Sequence, residues 1–303
     1  MSRAAGDRVL GLPLDRLFAI YMVVSATALL FPHRPGYWPL LLALHVLVVV
    51  VFWPAAPLQR AATSAGAGTR SIMRSVLDWL PLLLIPALYT ELAVLNRAVH
   101  DGRYFDDAII ALEQVIFGGQ PSQEWAAALP NLWVSEPLHA AYLSYYLISF
   151  GPPLLLFLRG RTAEFRFAAF AVMFSFFAHY LFFIFLPVQG PRYLFPAPGG
   201  ELANGMFYQV AHRVLEAGSA QGAAFPSSHV GVSVTQTLVV LRFLRGWTPL
   251  VAVLTVGLAL GAIYGGFHYA IDAVIGAVLG VIVFAVAQPL YRRLEVRRGS
   301  AAA

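Results

Sequence analysis

The chain of 303 residues contains no cysteine, which excludes a disulfide framework, thiolate catalysis and any thiolate metal site. Lysine is missing too: all twenty basic residues are arginine. Charge of either sign is scarce at 12%, against roughly 25% in soluble domains. With 59% hydrophobic residues and a mean hydropathy of +0.71, this excludes an ordinary soluble globular protein. No tandem repeat or low-complexity tract is evident. The arginines form no dense run, so the net charge of +5 reads as topology signalling and lipid headgroup contact, with no nucleic-acid partner. Arg3 and Arg8 precede an apolar run from Leu17 to Phe31 without a small-residue cleavage site after it, which reads as a retained first span rather than a removed leader.

What the chain does have is apolar length. Eight stretches, about 14–32, 37–54, 75–97, 135–158, 166–187, 227–245, 248–266 and 268–290, approach the length needed to cross ~30 Å of hydrocarbon. The expected fold class is therefore all-α, a polytopic transmembrane helical bundle. Trp38, Trp53, Trp79 and Trp247 fall near span ends, as interfacial indoles do. Eight spans put both termini on one side. That side, with the loops near 55–74, 159–166 and 242–247, holds fifteen arginines; the other holds Arg34, Arg97, Arg103, Arg192 and Arg213. The arginine-rich side is expected to be cytoplasmic, in a bacterial-type plasma membrane, with segments 98–134 and 188–226 outside. The alanines after Arg298 read as a disordered tail.

Two outward segments have helical periodicity. In "YFDDAIIALEQVIFGG", Phe105, Ile109, Leu112 and Ile116 share a face, Asp106, Asp107, Glu113 and Gln114 lie elsewhere, and Gly118–Gly119 ends the pattern. "FYQVAHRVLEAG" (207–218) puts Phe207, Val210, Val214 and Leu215 on one side. Both suit surface-lying helices that cap a site opening toward lipid, or simple connectors over the bundle end. For Asp106 and Asp107, a solvated face is expected ahead of contact with a polyol.

Three polar stretches lie at one depth on the outward side: "LPVQGPRYLFP" (186–196), "FPSSHV" (225–230) and "YGGFHYAID" (264–272). His268 and Asp272, four apart, share a helix face, so the carboxylate can fix the imidazole tautomer and leave the other nitrogen as nucleophile or base. The same pair would serve as half a metal site or as an intramembrane hydrogen bond. No further ligands stand at a helpful spacing, so no metal and no cofactor is expected. Pro226 and Ser227 or Ser228 suit a helix start, where free amides and the dipole favour an anion, and His229 in the first turn can supply a proton. Arg192 adds a cation for phosphate oxygens. Together these are the parts of metal-free phosphoryl transfer through a phosphohistidine.

P-S-x-H followed about forty residues later by H-x-x-x-D resembles the type 2 phosphatidic acid phosphatase superfamily, whose signatures run KxxxxxxRP, PSGH and SRxxxxxHxxxD. The resemblance covers roughly residues 75–290. It implies a six-helix core with its site at the outer leaflet and two added N-terminal spans, hence a division into 1–74 (two spans and a cytoplasmic loop) and 75–295 (catalytic membrane domain). It further implies His268 as nucleophile, Asp272 as its orienting partner and His229 as general acid, with Ser227 in the second signature. Gly261–Ala262 replace the expected serine and arginine, Phe185 the lysine and Tyr193 the proline. Ser228 stands where the family usually has glycine. "FPSSH" and "HYAID" look more like the inositol phosphorylceramide synthase branch, whose members move a phospho-headgroup between lipids. A singly charged phosphodiester suits a site with fewer cations.

Tyr193 and Tyr264 flank the catalytic candidates as phenol donors where arginines are missing. Glu91 and His179 are candidate supporting residues, Glu91 equally suited to bundle packing. His45 reads as an interhelical hydrogen bond. The expected function is an integral-membrane phosphotransferase with a phospholipid or polyprenyl phosphate donor and a hydroxyl acceptor (polyol, lipid alcohol or water). Water as acceptor gives the alternative, a lipid phosphate or polyprenyl pyrophosphate phosphatase. A non-catalytic lipid-binding membrane protein is the third reading.

Overall fold

The computed structural model describes residues 13–52 and 67–300. Arg3, Arg8, Trp53, Arg60, most of the loop 55–74 and the last three alanines lie outside the described residues. The apolar runs become helices, some of them with internal prolines: α1 (Pro13–Ala26, extended by a 3-10 turn Thr27–Leu30), α2 (Trp38–Phe52), α3 (Ala67–Leu83) and α4 (Ile85–His100). Then come the short α5 (Asp106–Phe117) and α6 (Pro121–Ala128), and the pair α7 (Leu132–Leu143) and α8 (Tyr145–Leu158). α9 (Thr162–Phe185), α10 (Pro191–Leu194), α11 (Met206–Gly218), α12 (Ser228–Phe243), α13 (Thr248–Tyr264) and α14 (Ala270–Ser300) follow. No strand forms among the described residues; Val188 and Ala223 make one isolated parallel bridge.

Five segments are long and apolar enough to span: Pro13–Leu30, Ser75–His100, Thr162–Phe185, Arg245–Tyr264 and Ala270–Glu295. The bent pair α7–α8 makes a sixth when counted as one span. α2 is a shorter apolar helix, and α12 is only 16 residues long, shortened by the polar turn that starts it. Lipid-facing stripes are legible on α13, where Leu250, Val253, Val256 and Leu260 are exposed at helical spacing, and on α14, where Val274, Val278, Val281 and Ile282 are. In water such surfaces would not stay bare, and this is an all-α integral membrane protein.

α9 is the central post, with fifteen of its residues buried, including Phe165, Phe170, Phe177 and Tyr180. α1 packs on it through a Tyr21–Phe177 stack with ring centroids 4.1 Å apart. α12 and α14 approach each other most closely at glycines. A Cβ on Gly276 would strike the Ser227 carbonyl, and one on Gly280 the Gly231 carbonyl. That approach brings the start of α12 against the start of α14. The α7–α8 pair bends by 40° at Ser144, whose hydroxyl donates to the Ala141 carbonyl at 2.6 Å and competes with the helical ladder.

Candidate active site

The first turns of α12 and α14 meet at one end of the bundle. Ser227 caps α12, its hydroxyl accepting from the Val230 N–H at 3.4 Å, and its own N–H donates to the Asp272 carbonyl at 3.0 Å. His229 follows in the first turn. The His268 N–H donates to the Ala262 carbonyl at 3.0 Å, which fixes the loop ahead of α14. The result places His268 Nε2 3.3 Å from His229 Nδ1 and His268 Nδ1 3.4 Å from Asp272 Oδ2. His268 and Asp272 are buried and His229 is half-buried.

The contacts order the protons. Asp272 Oδ2 accepts from the Tyr269 N–H at 3.0 Å and faces His268 Nδ1 at ion-pair distance, so charge more than an aligned hydrogen bond favours a proton on that nitrogen. His268 Nε2 then carries a lone pair toward His229 Nδ1–H. The far nitrogen of His229 lies 3.4 Å from the Tyr142 hydroxyl, and the Tyr145 ring packs 4.3 Å from the imidazole. Because Nε2 and Nδ1 face each other, a phosphate admitted between the rings would have the nucleophile and the proton donor on opposite sides of it. The rings must part to admit it, as is common for catalytic groups without substrate.

The loop carrying Arg192 is tied to this pair by α5. Asp106 Oδ2 accepts from the Gln189 N–H at 2.9 Å, and Oδ1 from the Gly190 N–H at 2.9 Å and the Tyr269 hydroxyl at 3.0 Å. Gly190, with φ at 93°, makes the turn that aims its N–H there. Glu113, two turns further along the same face of α5, accepts from the Ile271 N–H at 3.0 Å at the start of α14. Burial pushes its carboxyl above the usual range, offset in part by the Ile271 and Ala270 amides. The expectation of a solvated acidic face therefore holds for exposed Asp107 but is corrected for Asp106, 5% exposed, and Glu113 is wholly buried. α5 turns acids inward and leaves Leu112, Val115 and Ile116 outward.

Arg192 donates to the Ser219 hydroxyl at 2.9 Å, and the Tyr193 hydroxyl meets the same oxygen at 2.7 Å. α11 runs from there to Glu136, whose carboxylate accepts from the Phe207 and Tyr208 amides at 3.0 and 3.1 Å. Its Phe207, Val210 and Val214 are exposed, and His212 turns inward against Phe267 and His139, with ring centroids 5.0 and 6.0 Å away. Burial holds His212 down to about 4, with His139 and Arg192 adding to the effect.

Other residues singled out in the sequence fall as follows. Ser228 is buried at the helix start, and the Ser227 side chain is wholly buried as the cap rather than open as a phosphate donor. Tyr264 is corrected as a phenol donor: its hydroxyl is given to the Leu129 carbonyl at 2.6 Å. His179 is buried behind α12, donating from Nδ1 to the Ser175 carbonyl at 2.7 Å, with its ring against Gly231. Glu91 pairs instead with His45 at 3.6 Å, beside α2. His45 itself bridges helices through Ser25 at 3.3 Å. Among the described residues no cluster of three or more His, Cys, Asp or Glu suits a metal ion. Tyr142, Tyr145 and Glu113 were not legible as site residues, because an aromatic in a span or an acid on an amphipathic helix has no distinguishing local pattern.

A profile described as the PAP2 superfamily matches residues 107–286, more than half of the chain, including Arg192, His229, His268 and Asp272. No curated protein and no solved structure matches the chain. The chain belongs to the PAP2 superfamily, which places it among membrane phosphatases and phosphotransferases acting on phosphate esters.

Proposed function

We propose that this protein transfers a phospho-headgroup from a lipid donor to a hydroxyl acceptor through a phosphohistidine on His268. The observation that carries the reading is the facing pair His268 Nε2 and His229 Nδ1 at 3.3 Å, backed by Asp272 on one side and Tyr142 on the other. His268 Nε2 attacks phosphorus, the bond from phosphorus to the donor's alcohol oxygen breaks, and His229 gives its Nδ1 proton to that oxygen. The acceptor hydroxyl then gives its proton to His229 while its oxygen displaces His268, restoring the free imidazole. The α12 start and Arg192 supply positive potential for the phosphoryl oxygens.

Transfer is favoured over hydrolysis by the cation count. Ala262 and Phe185 stand where the superfamily signatures carry cations, leaving Arg192 as the guanidinium of the matched motifs. A monoanionic phosphodiester needs less compensation than a dianionic monoester. The arginine asymmetry supports a site on the extracytoplasmic side, with residues 75–295 as the catalytic unit, and tag accessibility at either terminus tests that orientation.

The test is a purified protein given a headgroup-labelled phospholipid with inositol, ceramide or diacylglycerol. A new phosphodiester lipid is expected. Free phosphate without transfer favours the phosphatase, and no turnover by the wild type leaves the lipid-binding reading.

A further inference from the structure

A nearly all-apolar groove of about 240 Å³ opens between α8, α12 and α13, among Ile148, Gly151, Pro152, Leu155, Val240 and Leu254. Its position relative to the imidazoles follows from helix geometry. α8 and α12 both start at the catalytic end and run away from it. Tyr145, whose ring touches His229, shares a face with Ile148, Pro152 and Leu155 at spacings of three, seven and ten. His229 and Val240 are eleven apart, three turns down one face of α12. At 1.5 Å per residue the groove therefore begins about 5 Å below His229 and, at Leu244, reaches about 22 Å below it. Gly151 forms part of the wall, and a Cβ there would meet nothing within 4 Å.

We propose that this groove holds one hydrocarbon chain of the phospholipid whose phosphate is at His268, and that it reads the length of that chain. A lipid lying in the bilayer with its phosphate at the depth of the histidines extends its chains along this direction. The groove leads down the same helix faces that carry the catalytic contacts, and its lining is aliphatic apart from the Trp247 indole at its far end. The bend at Ser144 and the sequence Gly151–Pro152–Pro153 hold α8 away from α13 and keep the space open.

The inference rests on the lipid-donor reading above, and one experiment separates the two. Headgroup transfer from dihexanoyl and dioleoyl phosphatidylinositol to ceramide, in the same detergent micelles, is compared for the wild type, Gly151→Leu and Leu254→Trp, with melting followed for each. Gly151→Leu fills the groove at a helical position where leucine is the better former. Both variants are expected to lose about tenfold in kcat/KM on the dioleoyl donor, as if roughly two methylenes gave up their apolar surroundings, and to match the wild type on the dihexanoyl donor. Wild-type turnover with unchanged chain-length preference in the variants overturns the groove alone, as does an equal loss on both donors. A wild type that turns over neither donor overturns the lipid-donor reading, and the groove's role with it. If Gly151→Leu fails to fold, Leu254→Trp on the opposite wall decides.

Discussion

Asp106 is the tie between the arginine loop and the catalytic loop, and replacing it with asparagine tests whether that tie matters. The carboxylate accepts three hydrogen bonds, from the Gln189 and Gly190 amides and the Tyr269 hydroxyl, all at 2.9–3.0 Å and almost out of water. Asparagine offers one oxygen. Placed at the Oδ1 position it keeps Gly190 and Tyr269 but sets its NH2 against the Gln189 N–H, donor to donor. A buried donor left without a partner costs about 1–3 kcal/mol, and the two remaining bonds lose charge assistance worth about 1 kcal/mol together. The sum is about 3 kcal/mol, which corresponds to roughly a hundredfold in kcat/KM if it is expressed wholly in the placement of Arg192 and His268. The assay is lipid-donor turnover alongside thermal melting in detergent, with exposed Asp107→Asn as the matched control. Asp106→Asn within threefold of the wild type in turnover, with an unshifted melt, would refute the role assigned to this carboxylate.

Three further outcomes follow from the same contacts. Gly276→Ala drives a methyl into the Ser227 carbonyl, so a destabilisation of about 1–3 kcal/mol and loss of activity are expected, whereas Gly218→Ala, at an open position, leaves the melt unchanged. Tyr142→Phe removes the hydroxyl facing His229 and is expected to lower turnover about five- to tenfold, for a bond worth about 1 kcal/mol, without shifting the melt; equal turnover would exclude a part for that phenol. His212 stays neutral in the folded protein down to about pH 4, while in the unfolded chain it gains its proton near 6.5. The unfolded state thus binds more protons between these values, so stability is full above pH 6.5 and falls as pH drops toward 4. His212→Gln is expected to reduce that acid loss, seen as a flatter melting profile from pH 7 to 4; a profile parallel to the wild type contradicts the burial argument.

The cluster of His229, His268 and Asp272 was legible in the sequence because its geometry is local. His268 and Asp272 share a turn, and "FPSSH" announces a capped helix start, so only the meeting of α12 and α14 had to be inferred. That meeting depends on Gly231, Gly276 and Gly280, whose value appears only when the helices touch. α5 was legible as a helix and Gly118 as its stop, but not which face turns in. In water the acids of an amphipathic helix face solvent; at a membrane surface its apolar side faces lipid, and Asp106 and Glu113 become the inner face. Tyr264 illustrates the converse: beside the motif in sequence, it is committed by a hydrogen bond to a carbonyl 135 residues away.

The most direct measurement is the phosphoenzyme itself. The wild type, given a donor labelled at phosphorus and quenched within a turnover, is expected to carry acid-labile, base-stable label on His268, discharged by a hydroxyl acceptor and absent from His268→Ala. Turnover that proceeds without such label and survives His268→Ala would contradict the account.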